Sequence, residues 1–249
     1  MSGLELVGTV ERGSFTARVE LRVAPGEVHA VLGPNGAGKS TVLRTVAGFE
    51  ALRSGRLTLA GEVLDDVQAD VFRRPATRRV GTVFQDHRLF PHLSALDNVA
   101  FGVRSRGAPR ALADATAHEW LERLGVARFA DRRPAQLSGG QAQRVAIART
   151  LAAEPRALVL DEPLAALDVH AREEVRDALT EHLRDFPGPV LLVTHDFADA
   201  VALADRVTVL EAGSVVQTGT VAQVAAAPGT DYVARVLRGT GGTPSSAPR

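Results

Sequence analysis

A chain of 249 residues with 45% hydrophobic and 23% charged side chains has the size and composition of a globular protein of one or two domains. Its 29 basic and 29 acidic side chains cancel and aromatics are only 4%, which removes the electrostatic and stacking grounds for a nucleic-acid partner. The absence of cysteine excludes disulfides, iron–sulfur clusters, cysteine-ligated zinc and a thiol nucleophile.

No run of about 18 apolar residues offers a membrane span. Met1-Ser2-Gly3-Leu4-Glu5 lacks the basic start and apolar core of a secretory signal, so the chain is expected in the cytoplasm. Phe15 to Val23 alternates apolar and polar residues and predicts a strand with one wet face. Pro25-Gly26 marks a turn, and Val28 to Leu32 reads as a buried strand. A glycine-rich loop and a helix over 39–47 follow, with Gly48 placed to stop the helix. Short Val- and Leu-rich runs at 80–84, 157–160, 190–194 and 207–210 predict strands covered on both faces. Helical periodicity fills 110–124 and 171–185, and Pro187-Gly188-Pro189 breaks the chain before the next strand. Strands alternating with helices predict an α/β fold with a mainly parallel sheet. Residues 86–154 carry helical patterns only and are expected to form an inserted helical subdomain, while 239–249 reads as a disordered tail.

Three segments carry chemistry. Gly33-Pro34-Asn35-Gly36-Ala37-Gly38-Lys39-Ser40-Thr41 fits the phosphate-loop pattern, between an apolar strand and a helix as that motif requires. Glycines let backbone N–H groups wrap phosphate oxygens at a helix N-terminus, with Lys39 on the β- and γ-phosphates and the Ser40 hydroxyl on Mg²⁺. Ala157 to Leu160 delivers Asp161 and Glu162 to the sheet edge where ligands bind; Asp161 is assigned to Mg²⁺ and Glu162 to the attacking water. Leu137-Ser138-Gly139-Gly140-Gln141 precedes a helix that Ser138 can cap, and makes a second anion-receiving helix start.

Together these segments resemble the ATP-binding subunit of ABC transporters, and Leu137 to Gln141 matches that family's signature. The resemblance covers roughly residues 1–238. It implies a P-loop NTPase: a RecA-like core with an antiparallel β subdomain and a helical subdomain at about 86–154. By the same resemblance Gln85 matches the glutamine that touches Mg²⁺ and senses the membrane partner. His195 matches the switch histidine on the γ-phosphate, and Leu167-Asp168 ends the loop that communicates across a dimer. The family's adenine-stacking aromatic lacks a plain counterpart. Glu11-Arg12-Gly13 occupies that region, Phe15 is the nearest aromatic but fits the apolar face of its strand, and Arg12 is the other candidate.

The segment from Arg78 to Leu93 resembles the corresponding region of importers for molybdate, sulfate, ferric iron, polyamines and sugars, and Arg88-Leu89-Phe90-Pro91-His92 is most similar to the molybdate branch. Leu89, Phe90 and Leu93 suit a groove for a helix of a membrane subunit. No further ligands cluster with His87 and His92, so no metal is expected there. Only 232–249 stands where that branch carries its substrate-sensing β domain, so either that regulation is absent or the molybdate assignment is wrong. The resemblance implies ATP and Mg²⁺ held between two copies of the chain, on the cytoplasmic face of the membrane. Permease subunits and an extracytoplasmic substrate-binding protein complete the expected assembly. The competing readings are an exporter subunit, a repair or translation ATPase, and a small-molecule kinase. Repair members need long coiled-coil insertions and translation members usually tandem cassettes, and a kinase leaves Gln85 and Leu137 to Gln141 without a role.

Overall fold

The computed structural model describes residues 3–165 and 167–240. Strands β1 (Leu4–Arg12) and β2 (Phe15–Val23) form a hairpin, followed by β3 (Val28–Leu32), helix α1 (Lys39–Ala47) and β4 to β6 (Leu52–Leu59, Glu62–Asp66, Val71–Phe72). Helix α2 (Pro75–Arg78) and β7 (Val80–Val83) lead into α3 (Ala95–Ser105), α4 (Arg110–Arg123) and α5 (Gly139–Ala152), with no strand among the described residues between 84 and 156. Then come β8 (Ala157–Asp161), α6 (Val169–Arg184), β9 (Val190–Val193) and α7 (Phe197–Leu203). The chain closes with β10 (Arg206–Glu211), β11 (Ser214–Thr220), α8 (Val221–Ala226) and α9 (Asp231–Thr240).

All strands join one sheet in the order β6-β5-β4-β1-β2-β11-β10-β3-β9-β8-β7. Its β6 to β2 side is antiparallel, and β10, β3, β9, β8 and β7 run parallel. In β2, Ala17, Val19, Leu21 and Val23 are buried while the intervening Thr16, Arg18, Glu20 and Arg22 are exposed, as the period-two pattern requires. All five residues of β3 are buried, because α1 covers one face of the parallel region and the helical layer covers the other. Helix α4 buries Ala113, Ala117 and Leu121 against α3 and α5.

Two boundaries depart from the periodicity. Helix α6 starts at Val169 rather than Ala171, because the Asp168 carboxylate accepts from the Ala171 N–H at 2.9 Å and caps the helix earlier. Helix α9 runs through Thr240, so the expected tail boundary at 239 falls inside a helix; residues 241–249 lie outside the described residues.

One polar cluster sits inside the parallel sheet. His29 is 2% exposed, with Nδ1 3.0 Å from Glu27 Oε1 and Nε2 2.8 Å from Thr208 Oγ1. Burial draws its pKa below 6.5, outweighing the opposing pull of Glu27. The folded state therefore prefers neutral His29, and its stabilising contribution is complete above 6.5 and lost as pH falls towards the lowered value. His29→Gln is expected to flatten the loss of stability between pH 7 and 5, by at most about 1.4 kcal/mol per pH unit. Denaturant titrations of both proteins at several pH values check this.

Candidate active site

Parallel register brings four strand ends to one edge. Val31 pairs with Val193, Val193 with Asp161, and Leu160 with Val83, so the chain leaves β3, β9, β8 and β7 at the same level. The loop from Gly33, residue His195, the Asp161–Glu162 pair and Gln85 thus emerge side by side at the carboxyl edge of the sheet, where α/β folds hold ligands.

The loop after β3 turns into α1 through Gly36 and Gly38, both left-handed, with φ of 79° and 103°. At Gly38 a Cβ would also lie 2.7 Å from the Phe15 ring, so neither torsion nor space admits a side chain. Lys39 is 5% exposed, and its ammonium donates to the carbonyls of Gly33 at 2.8 Å and Pro34 at 3.1 Å. Burial lowers its pKa, opposed by Glu162 and Asp161. Asn35, Gly36 and Ser40 are exposed, whereas Ala37 and Thr41 are buried beneath the loop.

Ser40, Gln85 and Asp161 line one cleft of about 510 Å³, with Arg12, Arg44, Phe84, Asp86 and Arg88. The Asp161 carboxyl is pushed up by burial and by the neighbouring Glu162; Lys39 and a hydrogen bond from Ser40 oppose this. A hydroxyl, a carboxylate and an amide form a hard oxygen set of the kind Mg²⁺ takes, together with phosphate oxygens, and the arginines of the same cleft suit the negative charge of those phosphates. Glu162 sits at φ 46°, in the left-handed region that non-glycine residues enter at a cost of about 1–3 kcal/mol and that clusters at functional sites. Its N–H donates to the Val193 carbonyl at 2.9 Å, and its Oε2 lies 3.2 Å from His195 Nδ1.

Ser138 and Gln141 form a reciprocal cap at the start of α5. Gln141 N–H reaches Ser138 Oγ at 3.4 Å, and Ser138 N–H reaches Gln141 Oε1 at 3.0 Å. This segment does not line the Ser40–Asp161 cleft. Gly140 instead faces α6, where a Cβ would stand 3.1 Å from the Ala171 Cβ. Arg12 and Phe15 are paired at the end of the first hairpin; Arg12 lines the cleft, and the half-buried Phe15 packs on Gly38 and the apolar core.

The model of the ABC transporter family matches residues 16–165, more than half of the sequence. The chain belongs to the ABC transporter family. Its fold is that of a P-loop NTPase: the post-hydrolysis dimer of the ATP-binding cassette MJ0796 bound to ADP and Pi matches it with a TM-score of 0.74 and 32% identity, over 88% of this chain and 98% of that one. The molybdenum import ATP-binding protein ModC of Mycobacterium tuberculosis is 50% identical over 222 residues, 88% of this chain and 60% of that protein. The spermidine/putrescine import ATP-binding protein PotA of Roseobacter denitrificans is 41% identical over 236 residues, 94% of this chain and 63% of that protein. The chain therefore spans about 60% of the length of the curated relatives it matches.

Within this ABC fold, several site groups gave no motif signal. Arg172 Nη2 donates to Asp196 at 2.7 Å and to Asp199 at 2.8 Å, joining the start of α6 to the segment that carries His195. Tyr232, on α9, engages the Gly33 backbone, and burial raises its pKa. Asn98, fully buried on α3, accepts from the Phe90 N–H at 2.7 Å and donates to the carbonyls of Phe90, Leu93 and Ser94. It thereby fixes the loop after Gln85. No helix among the described residues is long and apolar enough to cross a membrane.

Proposed function

We propose that the chain is the ATP-hydrolysing subunit of an importer, working as a pair of identical copies on the cytoplasmic face of the membrane beneath separate permease subunits. The observation that carries this reading is the separation, within one chain, of two anion-receiving helix starts: the loop cleft holds Ser40, Gln85 and Asp161, while Ser138 to Gln141 rests against α6. One nucleotide meets both only if a second copy supplies the other half.

In this reading the backbone N–H groups of the 33–41 loop wrap the phosphates of ATP. Lys39, with two protons on loop carbonyls, keeps its third for the γ-phosphate. Ser40, Gln85 and Asp161 are the residues that would hold Mg²⁺, which when bound neutralises charge on the phosphate oxygens. Glu162 orients the attacking water, and His195 fixes the Glu162 carboxylate and meets the γ-phosphate. Adenine rests at the hairpin end, against Arg12, because the Phe15 ring is taken up by Gly38. Ser138, Gly139, Gly140 and Gln141 of the second copy close over the nucleotide, so ATP favours the closed pair and its hydrolysis removes that preference.

A shallow groove lined by Phe90, Phe101, Arg149 and Thr150 is the place for a cytoplasmic helix of the permease. The Phe90 and Phe101 rings meet tilted by 48°, with centroids 4.5 Å apart, and Phe101 is 46% exposed. The likeness to a molybdenum importer supports a small oxyanion as cargo, delivered by an extracytoplasmic binding protein.

Glu162→Gln keeps the shape of the site and removes its base. In Mg·ATP this variant is expected to run as a dimer by light scattering, and in ADP as a monomer. If no ATP-dependent dimer forms, alone or with the permease, the reading fails.

A further inference from the structure

The first turn of α6 and the residues leading into it connect two parts of the site that lie far apart in sequence. On one side, Ala171 and Leu167 pack against Gly140 at the start of α5. On the other, the next residue, Arg172, places one guanidinium nitrogen 2.7 Å from Asp196 Oδ2 and 2.8 Å from Asp199 Oδ2. Asp199 is buried, and its Oδ2 also accepts from the Thr194 hydroxyl at 3.2 Å. That hydroxyl accepts from the Asp196 N–H at 3.1 Å, and Asp196 Oδ1 caps α7 through the Ala198 N–H at 2.8 Å. His195 lies between Thr194 and Asp196, so both of its chain neighbours are held in this network. The network leaves its imidazole 53% exposed and 3.2 Å from Glu162. Asp199, foremost, and Asp196 hold the Arg172 charge firmly.

We infer that Arg172 is a positioning residue for hydrolysis: by clamping Asp196 and Asp199 it fixes the turn that presents His195 to Glu162, and ties that turn to the helix start on which Gly140 rests. Arg172 touches neither His195 nor Glu162, so its effect passes through the backbone of 194–196. This inference rests on the ATPase reading above. It assigns the two carboxylates a role that their spacing around His195 would not reveal.

The test compares Arg172→Ala and Arg172→Lys with the unaltered chain. Arg172→Ala is expected to lower kcat at least about tenfold while KM for ATP stays within about threefold, because none of the groups that would bind phosphate contacts Arg172. Arg172→Lys keeps the charge but loses the planar fork, and should recover part of kcat. The second readout needs no turnover. The imidazole signal of His195, assigned by its loss in His195→Gln, is followed by NMR across pH. In Arg172→Ala its titration should move, with circular dichroism unchanged. A clamp role is overturned if Arg172→Ala keeps kcat within about twofold. It is equally overturned if kcat falls only in step with folded fraction while His195 titrates as before. If the unaltered chain binds ATP but releases no phosphate, the ATPase reading fails and the clamp falls with it. Where the unaltered chain turns over, Lys39→Ala does not, and Arg172→Ala matches the unaltered chain, the clamp alone fails.

Discussion

Lys39→Ala is expected to cut ATP turnover by at least about 100- to 1,000-fold, the scale of losing one preorganised charge donor at a reacting centre. The argument is geometric. Lys39 is buried, and its ammonium spans the loop through the Gly33 and Pro34 carbonyls, within the field of Asp161 and Glu162. Alanine removes both the cation for the γ-phosphate and the tie between the two ends of the loop. The same change should do little harm to the fold. Burial disfavours this charge, as its lowered pKa records, so deleting it relieves a desolvation cost that the two hydrogen bonds offset. The expected pair of results is therefore near-complete loss of phosphate release and a melting temperature within a few degrees of the unaltered chain. A variant that keeps a tenth of its turnover would falsify the assignment of Lys39.

The parts of this protein that sequence made legible are those where one short segment carries its own physics. Gly33 to Thr41 needs only local torsions and a following helix; β3 needs five consecutive buried residues; Ser138 and Gln141 close their cap within four positions. On the antiparallel side only β2 shows a clean alternation; the rest was legible only through the family resemblance. In β1, Gly8 interrupts the alternation, and it is there because β4 comes so close that a Cβ would lie 2.2 Å from the Ser54 carbonyl. In β4, the exposed Arg53, Ser54, Gly55 and Arg56 hide a strand whose buried residues are Leu52, Leu57 and Leu59. The clamp around His195 escaped notice for a different reason. An arginine one turn into α6 reads as a solvated helix face, and its partners lie 24 and 27 positions away. Ion pairs made by tertiary contact leave no periodic trace. The same holds for Arg78, which reads as half of an ordinary basic pair before β7.

Arg78→Ala is expected to cost about 3–5 kcal/mol of stability, the range for breaking a buried charged network from one side. Arg78 is fully buried. Its guanidinium donates to the Arg73 carbonyl at 2.7 Å, and to the carbonyls of Thr45 at 2.6 Å and Val46 at 3.1 Å, the last turn of α1. There it satisfies the Val46 carbonyl, adds a second donor to the Thr45 carbonyl that the Gly48 N–H already caps, and meets the negative end of the helix dipole. It also lies 3.8 Å from the buried Asp65 carboxylate and 5.1 Å above the Phe72 ring. Alanine leaves a cavity, the Val46 and Arg73 carbonyls without their side-chain donor and an uncompensated acid, while Arg78→Met fills the space and isolates the electrostatic part. Burial already raises the pKa of Asp65, against the pull of Arg78. Without Arg78 that pKa rises further, so the folded state prefers protonated Asp65. Stability is then kept at acid pH and lost as pH rises through the new value. The deficit of Arg78→Met should accordingly be larger at pH 8 than at pH 5, and Asp65→Asn in the same chain should recover about 1–3 kcal/mol of it. Because α1 begins at Lys39, loosening its far end should also weaken nucleotide binding, although no group on Arg78 reaches the cleft. Guanidinium titrations of the single and double variants at both pH values, with ATP affinity measured in parallel, decide it; a deficit independent of pH would show that the cavity, and not the stranded carboxylate, governs the loss.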